Sequence, residues 1–201
     1  MNFNFNTPTN NSSTNYLNLK KNDVLDLSKV APSLNSVILA AGWDVAETGP
    51  SFDLDISAFL LNDRGRVERI PDDVIFFNHM SSRGIKLEGD NLTGDGDGDD
   101  ERIDINLSQL DPRICKIVFM VTIFEAQSKH QTFGMVNNSY VRLLDADNGE
   151  REICRYELKD TYPTATAVTF AELSKENGKW SFKAIGEGSV GDLNTLIQRY
   201  I

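Results

Sequence analysis

Between Glu88 and Glu101 the chain reads EGDNLTGDGDGDDE: seven carboxylates and four glycines in fourteen residues, with no lysine and no arginine. Like charges about 5 Å apart repel by nearly 1 kcal/mol in bulk water, and by several times that in a partly buried site. An extended, solvated loop escapes the cost, so a flexible linker between strands is the plain reading of any acidic loop. Three features here favour a cation site instead. The acids alternate with glycine from Asp95 to Asp99, and glycine lets backbone fold tightly and turn its carbonyls toward one point. Asp90, Asn91 and Thr93 add further oxygen donors. Without lysine or arginine, the run has no internal partner to neutralise it. Calcium takes six to eight oxygens from carboxylates, carbonyls and waters, and this composition matches that demand.

The run is not an EF-hand. With Asp95 at loop position one, Asp100 stands where glycine is required and Asn106 where a bidentate glutamate belongs. Starting from Asp145 fails as well, because Tyr156 then falls at position twelve. A calcium site must therefore be assembled from several loops. The further ligand candidates are polar residues beside strands: Asp53 and Asp55, Asn78, and Glu125.

The elements that position them are nearly all strands. Val37–Ala41 is a short apolar run, read as a strand buried on both faces. From Phe52 to Leu60 apolar residues alternate, which places Asp53, Asp55, Ser57 and Phe59 on the opposite face. Asn62–Gly65 is a turn, with Val74–Asn78 as the returning strand. Ile103, Ile105 and Leu107 alternate in the same way, and Ile114–Phe124 is the most hydrophobic segment, expected as a central strand. Asn148-Gly149 and Asn177-Gly178 mark hairpins. Leu193, Leu196, Ile197 and Tyr200 change the period to that of a helix. The expected fold is thus all-β dominated, a β-sandwich with a short C-terminal amphipathic helix. Residues 1–15, rich in Asn, Ser and Thr, are expected as a flexible tail, and 16–201 as one domain.

Composition narrows the function. The formal charge is −10; without the seven acids of the run it would be −3. No basic patch or stripe is present, which argues against nucleic acid and against electrostatic binding to anionic membrane. No apolar stretch approaches the roughly 20 residues of a membrane span, and the N-terminus lacks the basic and apolar regions of a secretory signal. Cys115 and Cys154 lie in strand-like patterns and are expected as buried thiols in a reducing, cytoplasmic setting. His79 and His130 have neither metal-ligand spacing nor a cysteine partner, so zinc is not expected. No nucleophile elbow, Walker loop or dinucleotide fingerprint occurs. The catalytic alternative is a metal-dependent phosphate-ester hydrolase built on the acidic cluster, but no cationic phosphate clamp accompanies it before Arg102.

Several stretches together resemble one family. GWD at Gly42–Asp44, FDLDISAFLL at Phe52–Leu61, DDVIFFN at Asp72–Asn78, GDNLTGDGDGDDE at Gly89–Glu101, KIVFMVTIFEA at Lys116–Ala126 and FGMVNNSYVRL at Phe133–Leu143 are similar to TerD-family proteins of bacterial tellurite and stress resistance, in the family's order. The resemblance covers residues 17 to about 200. It implies a β-sandwich holding about two neighbouring calcium ions on acidic loops and no known catalytic activity; with ten candidate oxygen ligands but no poised nucleophile, paired histidine base or phosphate cradle, the expected role is a metal-dependent interaction or adaptor module. By motif position the implied metal ligands are Asp53, Asp55, Asn78, Asp90, Asn91, Asp97, Asp99, Asp100, Glu101 and Glu125; Asp95 occupies a position that varies in the family. The implied partners are other tellurite-resistance proteins or a membrane-associated complex. The implied location is the cytoplasm, with association to the inner face of the membrane through those partners.

Overall fold

A computed structural model describes residues 16–45, 52–88, 98–158, 160 and 162–201. The expected tail, and Asp90, Asn91 and Asp97, lie outside the described residues. In chain order the elements are β1 (Leu17–Leu19), β2 (Val24–Asp26), α1 (Leu27–Val30), β3 (Ser36–Val45), β4 (Leu54–Leu61), β5 (Val74–Ile75), β6 (Ser81–Ser82), β7 (Ile85–Glu88), β8 (Glu101–Asn106), β9 (Lys116–Ile123), α2 (Ala126–Lys129), β10 (Val136–Asp145), β11 (Arg151–Glu157), β12 (Ala167–Glu176), β13 (Lys179–Ser189) and α3 (Leu193–Ile197).

Two sheets form. One runs β1-β11-β10-β3-β8-β7-β6 and the other β2-β13-β12-β9-β4-β5. Every pairing is antiparallel except β1 with β11. Their inner faces share one core, in which Leu39, Ile103 and Leu143 meet Ile56, Phe119, Val121 and Phe170. Burying each such side chain stabilises the fold by about 1.5–3 kcal/mol. This is the sandwich that the alternating strands predict. β9 lies between β4 and β12, as the most hydrophobic segment should. The β12–β13 turn is the two-residue loop Asn177-Gly178, with φ of 50° and 77°, the pair of positive angles that Asn-Gly supplies in hairpins.

The alternation expected in Phe52–Leu60 does not survive as an inside and an outside. All eight residues of β4 are buried. Its second face carries Phe59 and Leu61, which pack with Val67, Val74, Val118, Met120 and Leu196 into a smaller apolar cluster. The cover is the C-terminal helix α3, amphipathic as expected. Asp192 caps it, its carboxylate accepting from Thr195 N at 2.8 Å; Leu196 is fully buried. Tyr200 meets the Phe59 ring edge-on at 5.5 Å. β4 is therefore covered on both faces.

The returning strand is also shorter than expected. β5 ends at Ile75, and Phe76–His79 close a tight turn by reciprocal backbone hydrogen bonds of 2.8 and 3.1 Å. Asn78 thus sits in a turn, not at a strand end. Both cysteines are free; Cys154 is buried and Cys115 half-buried.

Candidate metal centre

β7 ends at Glu88, and the described residues resume at Gly98. There the backbone extends the edge of β3: Asp100 N donates to Ala41 O at 2.9 Å, and Glu101 pairs with Ala41 in register. Asp100 turns its carboxylate onto the same strand and accepts from Trp43 N at 2.8 Å. Burial raises its pKa above the ordinary 3.8, the charges of Asp44 and Asp99 add to the rise, and the Trp43 N–H opposes it.

Glu101 faces the inside. It is 2% exposed, and its Oε2 accepts from Ile56 N, on β4 of the other sheet, at 2.6 Å. That N–H is available because β5 pairs with β4 only at Ala58 and Phe59, which leaves the edge of β4 near Ile56 without a strand partner among the described residues. A buried N–H without a partner costs about 1–3 kcal/mol, so this carboxylate satisfies a real need while it bridges the sheets. Asp55 is the next residue on β4 and is also buried, at 6% exposure. It pairs in register with Thr122 of β9, itself buried.

Asp53 and Glu125 flank the same strand ends. Asp53 O accepts from Phe124 N at 2.7 Å. Glu125 takes a left-handed conformation, φ 56°, to open the single turn α2, and is exposed. Phe124 meets Phe77 edge-on at 6.0 Å, which brings the turn holding Asn78 beside this end of the sandwich. Asp53, Asp55, Asn78, Asp100, Glu101 and Glu125 therefore belong to neighbouring strand ends and turns. Among the described residues, no three of Asp, Glu, His and Cys stand together as a metal-holding group.

Asp99 is engaged elsewhere. Both of its oxygens face Arg142 of β10, at 2.8 and 2.7 Å, and Tyr140 donates its hydroxyl toward Oδ1 at 3.1 Å and toward Gly98 O at 2.9 Å. Arg142 also pairs with Glu152 at 2.9 Å, and Glu152 with Arg155 at 2.8 Å. The Arg155 guanidinium lies 4.5 Å from the centre of the Tyr140 ring. The Asp99 pair keeps the Arg142 guanidinium protonated beyond its usual range, and burial pushes Tyr140 up to about 12. The run still holds no cation of its own, but Asp99 is compensated by one from outside it. Its partner comes from forty-three residues downstream, where no inspection of the run itself would find it. The available signal was Arg142 standing between the apolar Val141 and Leu143 on a strand pattern. Nothing in the sequence pointed to Trp43 N or Ile56 N, because main-chain donors become visible only when a strand edge is left open.

A TerD domain matches residues 16–200. The chain is a member of the TerD family. The tellurium resistance protein TerD of Serratia marcescens is 43% identical over 187 residues, 92% of this chain and 96% of that protein. General stress protein 16U of Bacillus subtilis (strain 168) is 39% identical over 188 residues, with coverage of 92% and 96%. The crystal structure of a TerD homologue from Streptomyces coelicolor A3(2) superposes with a TM-score of 0.68 at 27% identity, covering 82% of this chain and 96% of that one. This TerD-family chain thus belongs among proteins named for tellurium resistance and general stress, and its β-sandwich has a counterpart in a solved homologue. None of these names is that of a hydrolase, and nothing favours that alternative. Among the described residues no helix is long and apolar enough to cross a membrane.

Proposed function

We propose that this TerD-family chain binds calcium at the end of the sandwich where the acidic segment joins it, turns over no substrate, and uses the bound ion to shape a surface for a partner. The observation that carries the reading is a pair of carboxylates, Asp55 and Glu101, buried at neighbouring positions beside the edge of β4. Their oxygens suit a hard cation. Asp53, Asp100 and Glu125 add oxygens at the adjoining strand ends, and Asn78 in its turn adds a neutral one. The remaining donors come from Asp90, Asn91 and Asp97, with Asp95 available between them. Asp99 has three donors on it and contributes at most one further lone pair. Bound there, calcium supplies positive charge that holds otherwise repelling carboxylates together.

The partner is a protein of the same resistance system or a membrane-associated complex containing one, met in the cytoplasm. Nucleic acid does not suit a chain of net charge −10. Phe124 stands 40% exposed beside Glu125 and offers an aromatic contact at the rim of the proposed site.

Isothermal titration of chelator-stripped protein should show at least one calcium site tighter than about 10 μM, with magnesium competing poorly because it demands compact octahedral geometry. Partner capture from a bacterial lysate should be lost with chelator and with Asp100→Asn/Glu101→Gln. Absence of binding heat, together with an unchanged melting temperature in millimolar calcium, overturns the reading. Metal-dependent hydrolysis of phosphate esters, abolished by the same double change, would restore the enzyme alternative.

A further inference from the structure

At the other end of β4, past Leu60, a cavity of about 300 Å³ opens between the 66–73 loop, the β6–β7 turn and residues 111–114. Leu60 and Ile114 line it with apolar surface, and the charged lining is three arginines, Arg69, Arg83 and Arg113, with three aspartates, Asp72, Asp73 and Asp111. We infer that this cavity is a binding site for a small oxyanion, phosphate or carboxylate in type, held between Arg83 and Arg69. The site shares no residue with the proposed calcium centre and goes beyond that reading.

The three guanidiniums differ in how far they are already committed. Arg113 is a wall element: it grips the buried Asp73 with two nitrogens, one at 2.8 Å, and contacts Asp111 at 3.3 Å. Asp73 in turn accepts from Arg69 N at 2.8 Å and Glu68 N at 3.2 Å, so its charge serves to hold the loop. Arg69 reaches Asp111 with one nitrogen at 3.2 Å and is half exposed, which leaves most of its donors free. Arg83 makes no ion pair within the described residues.

The place of Arg83 is nevertheless imposed. It is the first residue of the two-residue turn Arg83-Gly84, closed by pairing of Ser82 with Ile85. Gly84 has φ +76°, and a Cβ on it would lie 2.7 Å from Leu110 N. Its carbonyl accepts from Asn106 N at 2.8 Å. The turn is thus seated against the 106–110 backbone, and only glycine fits that approach. The seated turn fixes the backbone of Arg83 at the mouth of the cavity, and its guanidinium offers the planar fork of donors that recognises oxyanions. Ser82 adds a hydroxyl to the lining. Asp72, exposed at the rim, works against an anion and gives the test its second sign.

The full-length protein as purified, with no added calcium, is titrated with inorganic phosphate and separately with malonate at constant ionic strength, followed by NMR of the arginine Nε–H groups. Saturable binding near about 1 mM is expected, the strength of a few charge-assisted hydrogen bonds. Arg83→Ala should weaken it about tenfold or more. Asp72→Asn should tighten it roughly threefold, the Coulomb effect of one carboxylate a few ångströms away. Both side chains are exposed, so loss of fold does not confuse the outcome. Binding of phosphate alone assigns the site to phosphorylated ligands, and of malonate alone to carboxylates. Shifts that never saturate, or an Arg83→Ala protein that binds as well as the parent, overturn the inference. Calcium titration of the same Arg83→Ala protein should be unchanged, which separates failure here from failure of the calcium reading.

Discussion

Glu101 meets two needs with one side chain. Its carboxylate accepts the main-chain N–H of Ile56 across the sandwich, and its charge belongs to the proposed cation site. Two substitutions separate the roles. Glu101→Gln keeps an acceptor for Ile56 N and should lower stability little while weakening calcium strongly. Glu101→Ala strands the buried N–H and should cost about 1–3 kcal/mol in urea unfolding even without calcium. Equal stabilities for the two variants would show that the hydrogen bond to Ile56 contributes nothing. Cys154 shows the same logic without a ligand. Burial holds its thiol neutral, pushing the pKa from 9.0 to about 12. Because the folded state keeps a proton that the unfolded state gives up, this stabilising effect is complete below pH 9 and fades as pH rises from 9 through about 12. Iodoacetamide at pH 8 should leave Cys154 unmodified in the native protein and modify it once denaturant is added, read by mass spectrometry.

Among the elements, α3 contributes more than its five residues suggest. A helix that short is not stable alone; Asp192 caps its start, and packing on β4 supplies the rest. In return it covers Phe59 and Leu61, which would otherwise face water on a sheet already buried on its inner side. Leu196→Ala should destabilise by about 2–5 kcal/mol, because the rigid strands below cannot collapse into the cavity. A loss under 1 kcal/mol in chemical denaturation would mean that the helix is an ornament on the sheet. β8 is the comparable element at the acidic end. Inward it sends Glu101 to the second sheet, while the residues just before it send Asp99 outward to Arg142. One stretch of three residues thus ties the exit of the acidic segment to both sheets.

At the scale of the whole molecule, acidic and arginine-lined features occupy opposite ends of β4. Seven of the chain's thirty acids lie between Glu88 and Glu101, and like charge at that density opposes folding unless a cation compensates it. Stability should therefore depend on calcium. Free ion at 100 times its dissociation constant adds about 2.7 kcal/mol, and for a chain of this size each kcal/mol moves the melting temperature by about 2–4 °C. Scanning calorimetry of stripped and calcium-loaded protein measures the difference; identical melting curves would remove any coupling between the metal and the fold.

Much of this protein was legible in its sequence because the signals are local. Strand periodicity, Asn-Gly turns and the i, i+3, i+4, i+7 pattern at the end are set by neighbours along the chain, and they foretold two-sheet packing, a central β9 and α3. The composition of Glu88–Glu101 pointed to cation chemistry for the same reason. What only the tertiary structure decided are relations between distant residues. The second face of β4 is dry because α3, more than 130 positions away, folds back over it. Asp99 is neutralised because Arg142 stands two strands across the sheet, and Glu101 finds Ile56 N because β5 stops short. The Arg83-Gly84 turn takes its place because Gly84 can press against Leu110. Burial, strand-edge availability and charge partners depend on which surfaces meet, and no window of sequence carries that information.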